Sequence, residues 1–222
     1  AGLVPGMRVL EIGCGWGGFA SFAAGELGCD VTGITIAAEQ AAFAEKRVAE
    51  LGLGDRVDIR LEDFRNVTGT YDAVVSIEMI ESIDETQWPA LFASSSARLT
   101  PGGRAVLQAI TIDDRLWDRY RERPDFIQQY IFPGGQLPAP NVLRSLATDA
   151  GLDVEQVETF GLDYAMTLRS WHERFTAAWP QLRGTGGLDE RFRRMWDLYL
   201  TLCEAGFRSG RISVGQWTFA KR

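Results

Sequence analysis

At 222 residues, with 45% hydrophobic and 24% charged, the chain is long enough to bury a substantial core and reads as a single α/β domain over 1–222. Its formal net charge of −7 excludes a general nucleic-acid footprint, because phosphate binding requires a basic face. Three scattered cysteines, Cys14, Cys29 and Cys203, exclude a disulfide framework and fit a reducing, cytoplasmic setting; no secretory signal or bilayer-length apolar run is visible.

Residues 1–6 read as the end of a helix and a turn, and are expected to follow a missing N-terminal segment. Val9, Leu10 and Ile12 then predict a buried parallel strand. The run Gly13-Cys14-Gly15-Trp16-Gly17-Gly18 follows, and a helix is expected over 19–27. Gly13 and Gly15 allow a tight turn and a close backbone approach to a ligand. The helix N-terminus faces the same place. A nucleotide-like cofactor is therefore expected at the end of the first strand. Gly13, Gly15 and Gly18 also satisfy the G-x-G-x-x-G spacing of dinucleotide enzymes, so the glycines alone leave NAD open. Trp16 and Glu11 favour a ligand without phosphates. A carboxylate repels a pyrophosphate but serves the cationic amino group of S-adenosylmethionine.

Further strands are expected at 30–35, 56–61, 71–77 and 104–110, with helices at 37–51 and 85–99. The second of these helices is expected to stop at Thr100-Pro101-Gly102-Gly103. Alternating strands and helices of these lengths imply a mostly parallel sheet covered on both faces, with ligands beyond the C-terminal strand ends. The alternation pauses at 111–138, where an insert of this length predicts a lid. A helix and a strand resume within 141–159, aromatic-rich helices are expected at 163–180 and 188–206, and a last, antiparallel strand at the sheet edge over 212–220. The total is seven strands. The helical elaborations at 111–138 and 163–208 are expected to form an apolar pocket over the sheet, although Trp171, Phe175, Trp179, Trp196 and Tyr199 taken singly also suit an ordinary core.

The second strand ends in Gly33-Ile34-Thr35-Ile36, without the acid that holds a ribose in NAD enzymes. Thr35 and Gln40 suit neutral hydroxyls. Asp63 suits an adenine amino group, with Phe64 stacking on the ring; a turn carboxylate beside a core aromatic is the alternative. Glu78 and Glu81 follow the most buried strand. Both facing the pocket would repel and raise one pKa, so one is expected to point in and the other to cap the next segment. His172, alone of its kind, reads as structural, and no metal-ligand spacing is present.

These residues carry a resemblance. The chain resembles the cyclopropane fatty acid synthases, which include the mycolic acid cyclopropane synthases. The similarity runs through Val-Leu-Glu-Ile-Gly-Cys-Gly-Trp-Gly-Gly (9–18), Gly-Ile-Thr-Ile (33–36) with Gln40, Val-Ser-Ile-Glu-Met-Ile-Glu (75–81), Leu-Thr-Pro-Gly-Gly (99–103), Tyr-Ile-Phe-Pro-Gly-Gly (130–135), Phe-Gly-Leu-Asp-Tyr (160–164) and Arg-Phe-Arg-Arg-Met-Trp (191–196). The first motif is common to many methyltransferases; the Tyr-Ile-Phe-Pro-Gly-Gly motif and the C-terminal signature are more specific. The resemblance implies a Rossmann-like class I methyltransferase that transfers carbon from S-adenosylmethionine to a cis double bond of an unsaturated acyl lipid, on a phospholipid or an acyl carrier. It implies cofactor contacts from Gly13, Gly15, Thr35, Ile36, Gln40, Asp63, Phe64 and Ile77. It implies a catalytic group of Glu81, Ile110 and Tyr164 around a bound bicarbonate that takes the proton, with Gln108 where the family has a histidine and a family cysteine preceding Ala1. Ser82 likewise stands where the family usually has a histidine after the glutamate. These two departures leave the product open between a cyclopropane and a methyl or methylene branch. Peripheral contact with the inner face of the membrane and a homodimer are expected alongside. An enzyme for another small apolar acceptor, a non-catalytic S-adenosylmethionine or lipid-binding fold, and an NAD-dependent oxidoreductase are the alternatives.

Overall fold

The computed structural model describes residues 1–221. Its centre is β1 (Arg8–Ile12), flanked by β2 (Asp30–Thr35) and β4 (Tyr71–Ile77), with the seven strands in the order β3-β2-β1-β4-β5-β7-β6. Here β3 is Val57–Leu61, β5 Leu99–Ile112, β6 Leu152–Thr159 and β7 Ile212–Lys221. Pairing is parallel throughout except that β7 runs against both β5 and β6. The order reverses between β1 and β4, and this switch point opens a crevice beyond their C-terminal ends.

The pleat sorts side chains to two faces. Leu10, Ile12 and Val74 enter one core with Trp88, Leu91, Leu143 and Phe219. Val9, Ala73 and Val75 enter the other with Ala20, Ala24, Ala44 and Val48. The second core is built from small residues of α1 (Gly18–Gly25) and α2 (Ala38–Glu50), which lets those helices lie close to the sheet. The first is covered by α3 (Trp88–Arg98) and, later in the chain, α6 (Pro140–Asp149).

Three expectations are corrected. The last strand is antiparallel, as expected, but it is inserted between β5 and β6 and leaves β6 at the edge. It pairs with β5 from Arg104↔Ala220 to Ile112↔Ile212. The helix expected from residue 85 begins at Trp88, because the Asp84 carboxylate accepts the Thr86 amide and winds a tighter turn over Glu85–Gln87, and Pro89 then starts the helix. Thr100-Pro101-Gly102-Gly103 does not merely stop that helix. It lies within β5, which pairs Leu99 with Tyr71 before the register shifts between Tyr71 and Ala73.

Between β5 and α6 the insert carries α4 (Trp117–Glu122) and α5 (Phe126–Tyr130), and after β6 come the long helices α7 (Gly161–Leu182) and α8 (Glu190–Arg208). The two long helices form a third apolar cluster with Ala165, Leu168, Leu200, Phe207 and Val214. They are stapled by His172 Nε2 to Asp197 at 3.2 Å and by Arg169 to Glu204 at 3.2 Å. Among the described residues no helix is long and apolar enough to cross a membrane.

Candidate active site

At the switch point the β1–α1 turn is a glycine cradle. Gly13, Gly15 and Gly17 have φ of 82°, 51° and 75°, in the left-handed region that favours glycine. The positions differ in what surrounds them. A Cβ on Gly13 would meet Met79 Cγ at 2.7 Å, whereas one on Gly15 would project into open space. The Gly13 and Cys14 amides donate to Ile34 O at 3.0 and 2.8 Å, which ties the turn to the end of β2. Around the cradle the strand ends present apolar side chains to solvent: Ile36 after β2, Leu61 on β3 and Ile77 on β4 are all exposed. Thr35 is buried and donates through its hydroxyl to Gln40 Oε1 at 2.8 Å. Glu11 is buried beneath α1, held by the Ala20 amide, and burial pushes its carboxyl up to about 8. Its Oε2 has no partner among the described residues. A backbone cradle that a Cβ would fill, an orphaned buried carboxyl oxygen and apolar strand ends fit S-adenosylmethionine, which carries an ammonium, hydroxyls and an apolar ring.

Asp63 and Phe64 follow β3 at the same edge of the sheet. Arg65 grips the Asp63 carboxylate through Nε and Nη2 at 2.8 and 2.6 Å, which holds its pKa below the ordinary value. Phe64 is buried in the core, with the Arg65 guanidinium 5.8 Å from its ring centroid.

The second half of the site begins at Glu78, the residue directly after β4. Its φ is 52°, and among the described residues no other non-glycine residue has a positive φ. That conformation costs about 1–3 kcal/mol and persists only where surrounding contacts impose it. The contacts are specific: Tyr164 Oη, on α7, donates to Glu78 Oε2 at 2.8 Å, and Gln108 Nε2, on β5, donates to Glu78 Oε1 at 2.7 Å. Gln216 on β7 in turn donates to Gln108 Oε1 at 3.1 Å. Three residues on, Glu81 Oε1 accepts the Ile110 amide at 2.6 Å, while its Oε2 has no partner among the described residues. Burial pushes the Glu81 carboxyl up to about 7; the Ile110 amide counters part of this, and the nearby Glu78 adds to it. The same burial, with Glu78 beside it, raises the Tyr164 phenol.

The structure thus brings Glu81, Gln108, Ile110 and Tyr164 together, and adds Glu78 and Gln216. The expectation that one glutamate points in while the other caps is corrected: both carboxylates face the cluster, and Asp84 supplies the cap. No residue type in Ile-Glu-Met-Ile-Glu marks a left-handed position, so the role of Glu78 becomes visible only once Tyr164, 86 positions away, is placed against it. The donors also bear on bicarbonate. Tyr164 Oη and Gln108 Nε2 are engaged by Glu78, and the Ile110 amide by Glu81. As arranged, each of these groups already faces a carboxyl oxygen, and a further anion would stand beside two carboxyl groups. Ser82 donates to Met79 O at 2.7 Å and so caps its own turn.

The insert folds back onto this cluster. The Gln136 amide donates to Glu81 O at 2.9 Å, and Arg121 meets Glu85 at 2.6 Å. Gly135 sits in tight quarters: a Cβ would lie 3.0 Å from Glu81 O and 3.1 Å from Phe132 O, so a side chain there would have to push the neighbouring backbone aside. Above, Phe132 contacts Tyr199, Tyr164 contacts Trp171 and Phe207, and Phe192, Trp196 and Tyr199 form a continuous row on α8. Trp179 is buried, whereas Trp171 is 41% exposed and is therefore not ordinary core. His172 is the structural residue expected of it, pairing the two helices.

The sequence profile described as mycolic acid cyclopropane synthetase matches residues 1–217. The chain is 43% identical over 222 residues to tuberculostearic acid methyltransferase UfaA1 of Mycobacterium tuberculosis, covering 100% of this chain and 52% of that protein. It is 37% identical over 219 residues to cyclopropane-fatty-acyl-phospholipid synthase of Escherichia coli, covering 99% of this chain and 54% of that one. The chain therefore spans about half the length of these relatives. Among solved structures, mycolic acid cyclopropane synthase CmaA1 complexed with SAH and CTAB superposes with a TM-score of 0.90 at 29% identity, covering 99% of this chain and 80% of that chain.

Proposed function

Because this chain belongs to the mycolic acid cyclopropane synthetase family, we propose that it transfers a one-carbon unit from S-adenosylmethionine to the cis double bond of an unsaturated acyl chain of a lipid. The observation that carries the reading is the juxtaposition of a glycine cradle at the end of β1 with a buried carboxyl cluster at the end of β4, under aromatic helices. The cofactor supplies an electrophilic methyl group on a sulfonium.

The chain's own residues do the rest. The backbone at Gly13 and Gly15 receives the methionine portion, Thr35, Ile36 and Gln40 the ribose and its surroundings, Asp63 and Phe64 the adenine, and the Ile77 backbone completes the contacts. An alkene is a weak nucleophile, and its attack leaves a cation on the acyl chain. Aromatic faces such as Tyr164, Trp171 and Tyr199 stabilise a cation by about 0.5–2 kcal/mol each. The insert and the two long helices exclude water, which would capture it. Glu81, anchored by the Ile110 amide, lies buried beside Glu78 after the end of β4.

Exposed Tyr130, Phe132, Leu162 and Met166 lie on the insert and α7. They give the acyl chain an apolar approach, at the cytoplasmic surface of a membrane or from a carrier. A second reading, a methyl- or methylene-branched product, is favoured by Gln108, which hydrogen-bonds but does not carry positive charge. Lipid mass spectrometry after incubation with monounsaturated phospholipid and S-adenosylmethionine tests the reading: acyl chains heavier by one carbon unit support it, and unchanged lipid with bound cofactor contradicts it.

A further inference from the structure

We propose that Glu78 is the built-in base of this site, its carboxylate occupying the place of a bound anion, so that the protein works without bicarbonate. The inference rests on the acyl-alkene reading above for its chemistry, and on geometry for its location. Tyr164 Oη and Gln108 Nε2 come from two different elements, α7 and β5, and converge on the two oxygens of one carboxylate at 2.8 and 2.7 Å. Gln216 orients the amide of Gln108 by bonding its oxygen at 3.1 Å, which leaves the Gln108 nitrogen to face Glu78. The backbone of Glu78 is held left-handed to bring the side chain there. A strained non-glycine residue is kept where contacts or chemistry demand it.

The chemistry follows. Once the alkene has taken up the methyl group, one acyl carbon is cationic. A proton leaves either the transferred carbon or a neighbouring chain carbon. The C–H bond breaks, its electron pair fills the vacant orbital as a ring bond or a new double bond, and the proton goes to Glu78, which becomes a neutral carboxylic acid. Charge balances within the step, and no oxidant or reductant is needed. The Tyr164 and Gln108 hydrogen bonds fix the carboxylate before the cation forms, so little reorganisation accompanies the transfer. Glu81, with its oxygen on the Ile110 amide, stays in place beneath.

The test pairs two variants with added anion. Glu78→Gly removes the carboxylate, frees both donors and tolerates the left-handed backbone; Glu78→Gln keeps the side-chain size without a basic oxygen pair. In carbon-dioxide-free buffer the wild-type protein should keep its rate within twofold. Both variants should lose at least 100-fold in kcat with S-adenosylmethionine affinity within threefold, and 10–50 mM bicarbonate or formate should restore at least tenfold to Glu78→Gly alone. Binding of 13C-bicarbonate, followed by NMR, gives a readout independent of turnover: signal broadening with Glu78→Gly and none with wild type is expected. Bicarbonate binding to the wild type, or Glu78→Gln turning over within threefold of wild type, overturns the proposal. If no acyl lipid is turned over by any form, the acyl reading fails, and the NMR result still decides whether Glu78 holds the anion place.

Discussion

Glu81 is a buried carboxyl whose second oxygen has no partner among the described residues. Its folded pKa is pushed up to about 7 from 4.5, chiefly by burial. An acid with a raised folded pKa contributes stability that is fully present below the unfolded value and is lost as pH rises through the folded one. The window is therefore about pH 4.5 to 7, and the size of the effect is of order 3 kcal/mol. Glu81→Gln removes the titration. Urea unfolding of wild type and variant at pH 5 and pH 8 should show wild type losing stability relative to the variant as pH rises; parallel curves would contradict the assignment. The same variant should abolish turnover while S-adenosylmethionine affinity stays within a few-fold, and full activity would remove Glu81 from the mechanism.

The turn after β1 holds the glycine cradle of the candidate site, and the insert after β5 folds against its carboxyl cluster. Two glycines of one turn should behave differently. Gly15→Val meets no neighbouring atom but strains a backbone held at φ 51°; it should abolish cofactor binding, measured by calorimetry, and lower Tm through that strain alone, while the protein still unfolds cooperatively. Gly13→Ala drives a Cβ toward Met79 at 2.7 Å and should lower Tm as well. Overpacking of this kind costs about 1–3 kcal/mol, and about 2–4 °C accompanies each kcal/mol in a chain of this size. In the insert, Gly135→Ala presses on Glu81 O at 3.0 Å and should reduce kcat more than cofactor affinity, with loss of affinity alone as the opposing result. Much of this frame is legible from sequence. Asp30–Thr35 and Tyr71–Ile77 coincide with their expected bounds: the second is a mostly apolar run, and the first combines Val31 and Ile34 with the β-branched Thr32 and Thr35. The position of β7 is not legible, since a periodicity of two gives a strand its faces but not its neighbours. That Gln108, Ile110 and Tyr164 share one cluster is legible only as a resemblance, and the hold of Glu78 on it depends on a long-range contact with Tyr164.

For the whole molecule, charge and apolar surface pull in different directions. A net charge of −7 is repelled by anionic lipid, and salt screens that repulsion within about 10 Å at 0.1 M. Under the proposed function, exposed Tyr130 and Phe132 would offer acyl chains an apolar contact instead. Turnover on anionic vesicles should therefore rise between 10 and 200 mM salt, and Tyr130→Ser with Phe132→Ser should depress turnover on vesicles without changing cofactor affinity. Turnover that falls with salt would instead indicate a basic docking face. One-carbon transfer to the acyl chain is tested by mass spectrometry of monounsaturated phospholipid incubated with the protein and S-adenosylmethionine carrying a CD3 group. Acyl chains that have gained the labelled carbon are expected, with two deuteriums where the proton left the transferred carbon and three where it left the chain. Cofactor bound at the glycine cradle with no deuterium entering any acyl chain would contradict such transfer.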